Sequence, residues 1–501
     1  MESIYNHLPI LQVLIPFLAA PICMIFGRNT LAWLITFLAS VCSLLVAFSL
    51  LKLVSDGSFI SYHLGGWAPP LGIEYVVDTA NAILLVLVSG ISSIVLLYSR
   101  DQLVFEVSEE KHTLFYTCYL LCLTGLLGVL ITGDVFNVFV FLEISSLSTY
   151  VLVAQGAGKD KRALKAAFNY LIMGTIGATF FVIGVGYLYM ATGSLNMFDI
   201  SDRIVEIESN RTIKAAYAFI VVGMGLKLAM FPLHMWLPNA YTYAPSVITS
   251  FLSATATKVS LYVLIRFTFS VFDIDYLYIG QILNFLVLPL AIIAMFAMSF
   301  VAIFQQDIKR MLAYSSIAQI GYMLIGLCLL SPQGLSATFI NMFNHGITKA
   351  ALFMSLGVLT LHGRSSFYDS LQGLGKRMPV VCFTFLIGGL SLAGIPGTAG
   401  FISKWMLVKA TLEAELPILA IFIILSSLLA IVYIWKVIEC IYFTEPASTI
   451  TDNKISLRIL LPVWFLSGSC IYFGFDTGLI LDASETVATS FFENGLEEKL
   501  K

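Results

Sequence analysis

A glutamate and three lysines lie inside long apolar runs of this 501-residue chain, far from the run ends where charged side chains collect: Glu143, Lys227, Lys258 and Lys404. An ionisable group at bilayer depth costs about 2.5–3.5 kcal/mol on insertion scales, and it marks an ion or proton path by default. Glu143, in Phe141-Leu-Glu-Ile-Ser-Ser146, is the only carboxylate near the middle of a run, and Lys227 is its natural partner. An unpaired buried carboxylate would protonate, whereas a neighbouring ammonium keeps it charged. Lys258 is flanked by hydroxyls in Thr255-Ala-Thr-Lys-Val-Ser260. A lysine near neutrality accepts and releases a proton, which an arginine does not. His345 and Lys349 stand at i, i+4 on one helix face. Histidine titrates near neutrality and suits a relay. The expected proton-translocating residues are therefore Glu143, Lys227, Lys258, His345, Lys349 and Lys404. His234 is either a relay group or a polar anchor. His7, His63, His112 and His362 read as solvated surface residues, and Lys409 and Lys436 as side chains that snorkel to the interface.

Of all residues, 59% are hydrophobic and 11% charged, with mean hydropathy +0.92; a soluble domain carries roughly 25% charged residues. Runs of about 20 apolar residues predict an all-α integral membrane protein of about fourteen spans, with no room for a soluble domain. The first run lacks a basic leader and reads as a retained helix rather than a cleavable signal. The loop Lys159-Asp-Lys-Arg-Ala-Leu-Lys165 is the most basic and is placed in the cytoplasm. Alternation then puts Arg28, Arg100, Lys111, Lys309, Arg310, Arg364, Lys376, Arg377, Lys454 and Arg458 on that side, and both termini on the outer face of the cell membrane. The net charge of −3 gives no reason to expect nucleic acid. No C-x-x-C pair exists among the eight cysteines, and no nucleotide loop is present. A lone carboxylate makes a poor sodium cage, because hard cations want several oxygen ligands. No cofactor and no metal site are expected.

A weak repeat runs through the chain. Phe168-Asn-Tyr170 returns as Phe343-Asn-His345, Ser145-Ser-Leu147 as Ser315-Ser-Ile317, and Lys227 is matched with Lys404. The offsets, all near 170–177 residues, predict two five-helix units, 113–270 and 271–443. Helices one to three (1–112) precede them and a last helix and tail (444–501) follow. Five is odd, so the second unit enters the membrane inverted, as in secondary transporters with sites on broken midplane helices. The breaks are expected in the seventh span at Pro232 and in the twelfth at Ala393-Gly-Ile-Pro-Gly-Thr-Ala-Gly400.

With these residues in view, the chain resembles the antiporter-like membrane subunits shared by respiratory complex I, membrane-bound hydrogenases and Mrp-type multisubunit cation/proton antiporters. The resemblance covers essentially the whole chain. It rests on Phe141–Ser146, Gly225-Leu-Lys-Leu-Ala-Met-Phe-Pro-Leu-His-Met-Trp-Leu-Pro238, Ala244-Pro-Ser246, Met311-Leu-Ala-Tyr-Ser-Ser-Ile-Ala-Gln-Ile-Gly-Tyr322 and Phe343-Asn-His345. Leu64–Ile73 with Val77-Asp78, Gly174–Phe181 and Thr192–Met197 look most like the D-type member of the Mrp assemblies, and lysine at 404 agrees. Tyr241 stands where that pattern leads us to expect a histidine, so no relay role is carried onto it. The resemblance implies a Glu143–Lys227 pair whose opening drives protons along Lys258 and His345 to Lys404. It also implies partner membrane subunits, with translocation, and sodium transport where present, depending on the assembly. The alternative it leaves is a proton-pumping subunit of an NADH:quinone oxidoreductase or membrane-bound hydrogenase.

Overall fold

Long apolar stretches with their backbone polarity satisfied internally can only be helices, and helices dominate the structure. It is a computed structural model that describes residues 5–27, 29–207, 210–272, 277–363, 365–445 and 456–497. Both chain ends and the expectations for Arg28, Arg364, Lys454 and the His362 side chain lie outside the described residues.

Two helices, α1 (Leu8–Phe26) and α2 (Asn29–Leu53), precede a hairpin of β1 (Ile60–His63) and β2 (Glu74–Val77), paired antiparallel with Ile60 opposite Val77. The hairpin is a short extended insertion in the all-helical, multi-span membrane protein that composition predicts. Four-residue strands are too short for alternation to stand out from a polar loop. Then come α3 (Thr79–Gln102), α4 (His112–Ile131), α5 (Val135–Ala154), α6 (Arg162–Thr192), the short α7 (Met197–Glu206) and α8 (Arg211–Leu228). The chain continues through α9 (Leu237–Tyr243), α10 (Ser246–Ala254), α11 (Ala256–Arg266), α12 (Leu277–Ile282), α13 (Leu288–Ile303), α14 (Ile308–Cys328) and α15 (Pro332–Gly363). It ends with α16 (Tyr368–Leu371), α17 (Leu374–Arg377), α18 (Pro379–Ala393), α19 (Ala399–Glu413), α20 (Pro417–Tyr442), α21 (Leu457–Phe475) and α22 (Gly478–Glu497). The expected C-terminal tail is thus largely a helix, packed against α15, with Phe491 stacked on Phe339 at 6.3 Å.

Among the described residues, eleven helices are long and apolar enough to cross a membrane, or twelve if Tyr368–Arg377 and Pro379–Ala393, bent by 116°, form one span. Hydropathy suggested about fourteen. The others are the helices that carry the polar groups or the breaks: α8 carries Lys227 in its last turn, α15 bears Asn344, His345 and Lys349, and α19 has only 15 residues.

Several local devices occur twice. Asp134 caps α5 by accepting from the Asn137 amide, and Asp307 caps α14 by accepting from the Arg310 amide. Each cap residue also bridges a strand-like partner two helices on, Asp134 with Asn196 and Asp307 with Phe367. Both α8 and α18 stop in a left-handed residue, Ala229 at φ 61° and Gly394 at φ 83°. The matching of Lys227 with Lys404 needs correction. Lys227 lies just before its break, in α8, and Lys404 after its break, in α19. Equal sequence offset is not equal position here, because α8 and α18 end 165 residues apart whereas the two lysines are 177 apart.

Candidate functional site: a line of buried amines at helix breaks

The break after α8 begins where Ala229 turns left-handed and its amide bonds Leu226 O at 3.3 Å. Trp236 fixes the linker by donating its Nε1 to Leu226 O at 2.9 Å and stacking on Tyr170 at 4.0 Å. That contact gives the Phe168-Asn-Tyr170 motif a structural purpose. Lys227 thereby points from the last turn of α8 toward α5. Its Nζ lies 3.2 Å from Glu143 Oε1 and donates to Ser146 Oγ at 2.6 Å. The expected pair is in contact, and Ser146, one turn after Glu143, is its missed third member. The lysine side chain is 6% exposed and the glutamate 24%, so the pair sits at the flank of the bundle with its carboxylate toward the outside.

The eighth span contains a break that no glycine or proline announces. α10 ends at Ala254, α11 starts at Ala256, and Thr255 between them has φ −121°, ψ −59°. A continuous helix would give the Ser253 carbonyl to the amide of Thr257. Here it accepts from the Lys258 ammonium instead. Lys258 is thus buried, 1% exposed, and held by a carbonyl freed at the joint. The hydroxyls of Thr255 and Ser260 turn to their own helix, donating to Phe251 O and Ala256 O.

α15 runs past this joint. Gly346 makes the approach possible, because a Cβ there would come within 3.0 Å of Ala254 O. The residues on either side of that contact are His345 and Lys349, and Lys258 interacts electrostatically with both. Lys349 donates to Leu312 O at 2.7 Å and Ser315 Oγ at 2.6 Å. The Ser145-Ser146 and Ser315-Ser316 pairs therefore each supply a hydroxyl to a lysine, Ser146 to Lys227 and Ser315 to Lys349. His345 is buried, and neither ring nitrogen has a hydrogen-bond partner among the described residues.

Lys404 reaches back from α19 to the end of α18. Its Nζ donates to Ala393 O at 2.7 Å and Leu392 O at 3.2 Å, carbonyls freed by the break, and lies 5.5 Å from the Tyr322 ring. A cavity of about 10 Å³ lies between His345 and Lys404, bordered also by Gln319, Asn341, Thr348 and Ser391. That is close to the space one water needs, and the lining offers the several polar partners a buried water requires. On the basic-loop side, a larger polar cavity of about 270 Å³ is bordered by Glu106, Lys159, Ser246, Asp307 and Lys309. From it, Ser246, Ser250 and Ser253 follow one another along one face of α10 toward Lys258.

The remaining expectations divide. His234 is buried and stacks on Phe231 at 5.3 Å. His112, expected at the surface, is buried and bonds Val107 O at 3.0 Å, since the 3-10 turn before α4 folds back over it. His7 and His63 are exposed as expected. Lys409 pairs loosely with Glu413 at 3.7 Å on the surface, and Lys436 donates to Ile303 O at 3.2 Å. Lys309, counted with the loop cations, is 8% exposed and donates to Ala244 O at 3.0 Å. Tyr241 donates to Leu252 O at 3.3 Å, beside the α10–α11 joint, and makes the contact of a packing residue.

The family profile described as "NADH:quinone oxidoreductase/Mrp antiporter, TM" matches residues 132–430. The N-type subunit of the NADH-quinone oxidoreductase of Desulforudis audaxviator is 39% identical over 439 residues, covering 87% of this chain and 86% of that protein. The D-type subunit of the Na(+)/H(+) antiporter of Alkalihalophilus pseudofirmus is 31% identical over 501 residues, 98% of this chain and 100% of that protein. Among solved structures, a chain of the membrane-bound sulfane sulfur reductase, an archaeal respiratory membrane complex, superposes with TM-score 0.89 at 27% identity, covering 98% of both chains. The chain belongs to the complex I/Mrp family of proton-translocating, antiporter-like subunits of multisubunit membrane complexes.

Proposed function

We propose that the chain is the proton-translocating subunit of a multisubunit monovalent cation/proton antiporter, with sodium as the cation. Protons pass by way of Glu143, Lys227, Lys258, His345, Lys349 and Lys404. The observation that carries the reading is the company the amines keep. Of these four, Lys227 alone has a carboxylate partner among the described residues; Lys258, Lys349 and Lys404 are held by carbonyls and hydroxyls. Such acceptors take a hydrogen bond from a neutral amine as well as from an ammonium, so these lysines can give up a proton without orphaning a neighbour.

In this mechanism the Glu143–Lys227 pair is the switch. While Lys227 is engaged by Glu143, its charge is neutralised. When the pair opens, an unpaired ammonium repels the proton on the next amine, and the charge is handed on toward Lys404. The cavity beside the basic loop and the serine face of α10 supply access to Lys258 from the cytoplasmic side. Residues 113–270 and 271–443 act as two inverted units, each with its own lysine–hydroxyl pair, and both chain termini lie on the outer face.

The antiporter reading draws on full-length alignment with a D-type antiporter chain. The higher identity with a quinone oxidoreductase chain favours a second reading, in which the same proton route is driven by electron transfer. Everted vesicles distinguish them. Antiport predicts that sodium addition dissipates an imposed proton gradient, and that Glu143→Gln and Lys227→Ala each abolish this while the complex still assembles. Normal antiport in either variant refutes the route. Proton pumping that needs an electron donor and quinone, with no response to sodium, establishes the second reading.

A further inference from the structure

Helix α3 lies outside both proposed repeats and carries none of the expected proton-handling residues, yet its two ends hold the two ends of the broken helix that bears Lys258. At one end, Glu106 follows the single turn Leu103–Phe105 after α3. Its Oε2 accepts from the Ser246 backbone amide at 2.6 Å and its Oε1 from the Ser246 hydroxyl at 2.7 Å. The first amides of a helix have no intrahelical acceptor, and a carboxylate there also complements the helix dipole. At the other end, Asp78 caps α3 through the Asn81 amide and forms an ion pair with Arg266, the last residue of α11. Arg266 is held further by the Tyr262 hydroxyl and by the Phe491 ring of α22, 5.0 Å away. The two acids are 6% exposed (Glu106) and 21% exposed (Asp78 side chain).

α3 is unbroken over 24 residues, whereas the antiparallel α10–α11 pair is hinged at Thr255. α10 packs along α3, but α11 lies mainly on α4 and α8. The ion pair is therefore what ties the far half of the broken helix to the strut. With both ends fixed, the angle at the joint is determined, and with it the reach of Lys258 to the Ser253 carbonyl and to α15.

We propose that Asp78 and Glu106 are positioning residues for proton transfer at Lys258: α3 spans the broken helix as a rigid brace, and these two carboxylates set where the ammonium sits. The inference rests on Lys258 being a proton carrier. Ser253, His345 and Lys349 face it.

The test uses the whole complex purified and reconstituted in vesicles, with the transport rate normalised to assembled complex and read as a function of pH. Asp78→Asn and Glu106→Gln are each expected to lower the maximal rate about fivefold or more and to displace the pH profile of what remains. The charge-exchanged double variant Asp78→Arg with Arg266→Asp is expected to recover at least half of the lost rate. A role in stability alone would reduce the amount of complex and leave the normalised profile in place. Should Asp78→Asn or Glu106→Gln fail to assemble, Asp78→Glu and Glu106→Asp, which move the carboxylate and keep its charge, carry the same expectation. Assembled variants with wild-type rate and profile overturn the brace. Lys258→Ala serves as the separate control: if it transports normally, the route through Lys258 is wrong. If it is silent while the clamp variants are normal, only the present inference falls.

Discussion

At the scale of single residues, the four buried amines differ in what would be left behind if each were changed. Lys227 shares its charge with Glu143 and its protons with Ser146 Oγ at 2.6 Å. Removing one partner of a buried pair costs about 3–5 kcal/mol, because the other charge is stranded, so Lys227→Ala should lose stability as well as transport. Ser146→Ala is gentler: the carboxylate remains, and one hydrogen bond to a charged group is worth about 1.5–3 kcal/mol. We expect an activity loss on the order of tenfold, with normal assembly, measured as initial rate of gradient dissipation. Lys258→Arg separates charge from exchange. Arginine keeps the positive charge but stays protonated in proteins and brings five fixed donors to a site that offers one carbonyl. Transport in this variant should fall about a hundredfold or more, the scale of a lost proton-transfer group. A rate near wild type would mean that charge alone, without proton exchange, suffices at this position.

At the scale of elements, the breaks decide which side chains meet, and they were unequally visible beforehand. Gly394 and Pro396 advertise the break before α19, and Pro232 the one after α8, so Lys227 and Lys404 could be placed beside unwound backbone from sequence. The joint at Thr255 was not legible. Threonine–alanine–threonine carries no helix breaker, and the close approach of Gly346 in α15 to the Ala254 carbonyl joins residues that sequence spacing does not connect. The hydroxyl partners were half visible: the Ser-Ser repeat could be read as a repeat, but not as a donor–acceptor site for lysines. His112 was misassigned because nearness to a loop says nothing about whether the loop folds over it. The left-handed caps yield a stability prediction. Ala229 bears a Cβ at φ 61°, a conformation costing about 1–2 kcal/mol for a non-glycine residue. Ala229→Gly should raise the thermal midpoint of the purified complex. Gly394→Ala should lower it and also impair transport, because the new Cβ would lie 2.7 Å from Lys404 Cδ. An unchanged midpoint in both variants would show that neither cap is held against its preference.

At the scale of the whole molecule, the direction of proton movement depends on which face carries the basic loop. The loop before α6 and the polar cavity bordered by Lys159 and Lys309 lie at one end of the bundle, while Asp78 and the β1–β2 hairpin lie at the opposite end of α3. In the proposed orientation, which follows the positive-inside bias, the first end faces the cytoplasm and the hairpin the outside. Single cysteines test this directly. Leu71, 91% exposed beyond β1, and Lys161, exposed in the basic loop, are suitable positions. Of the eight native cysteines only Cys42 is exposed, so Cys42→Ser removes the accessible background. With a membrane-impermeant maleimide, Leu71→Cys should label in intact cells and Lys161→Cys only in everted vesicles. Because Glu106 and the serine face of α10 open to the same end as Lys161, that pattern also fixes the side from which Lys258 is supplied. The reverse pattern would turn the brace, the cavity and the line of amines over together, and the pair at Glu143 would then respond to protons arriving from the opposite compartment.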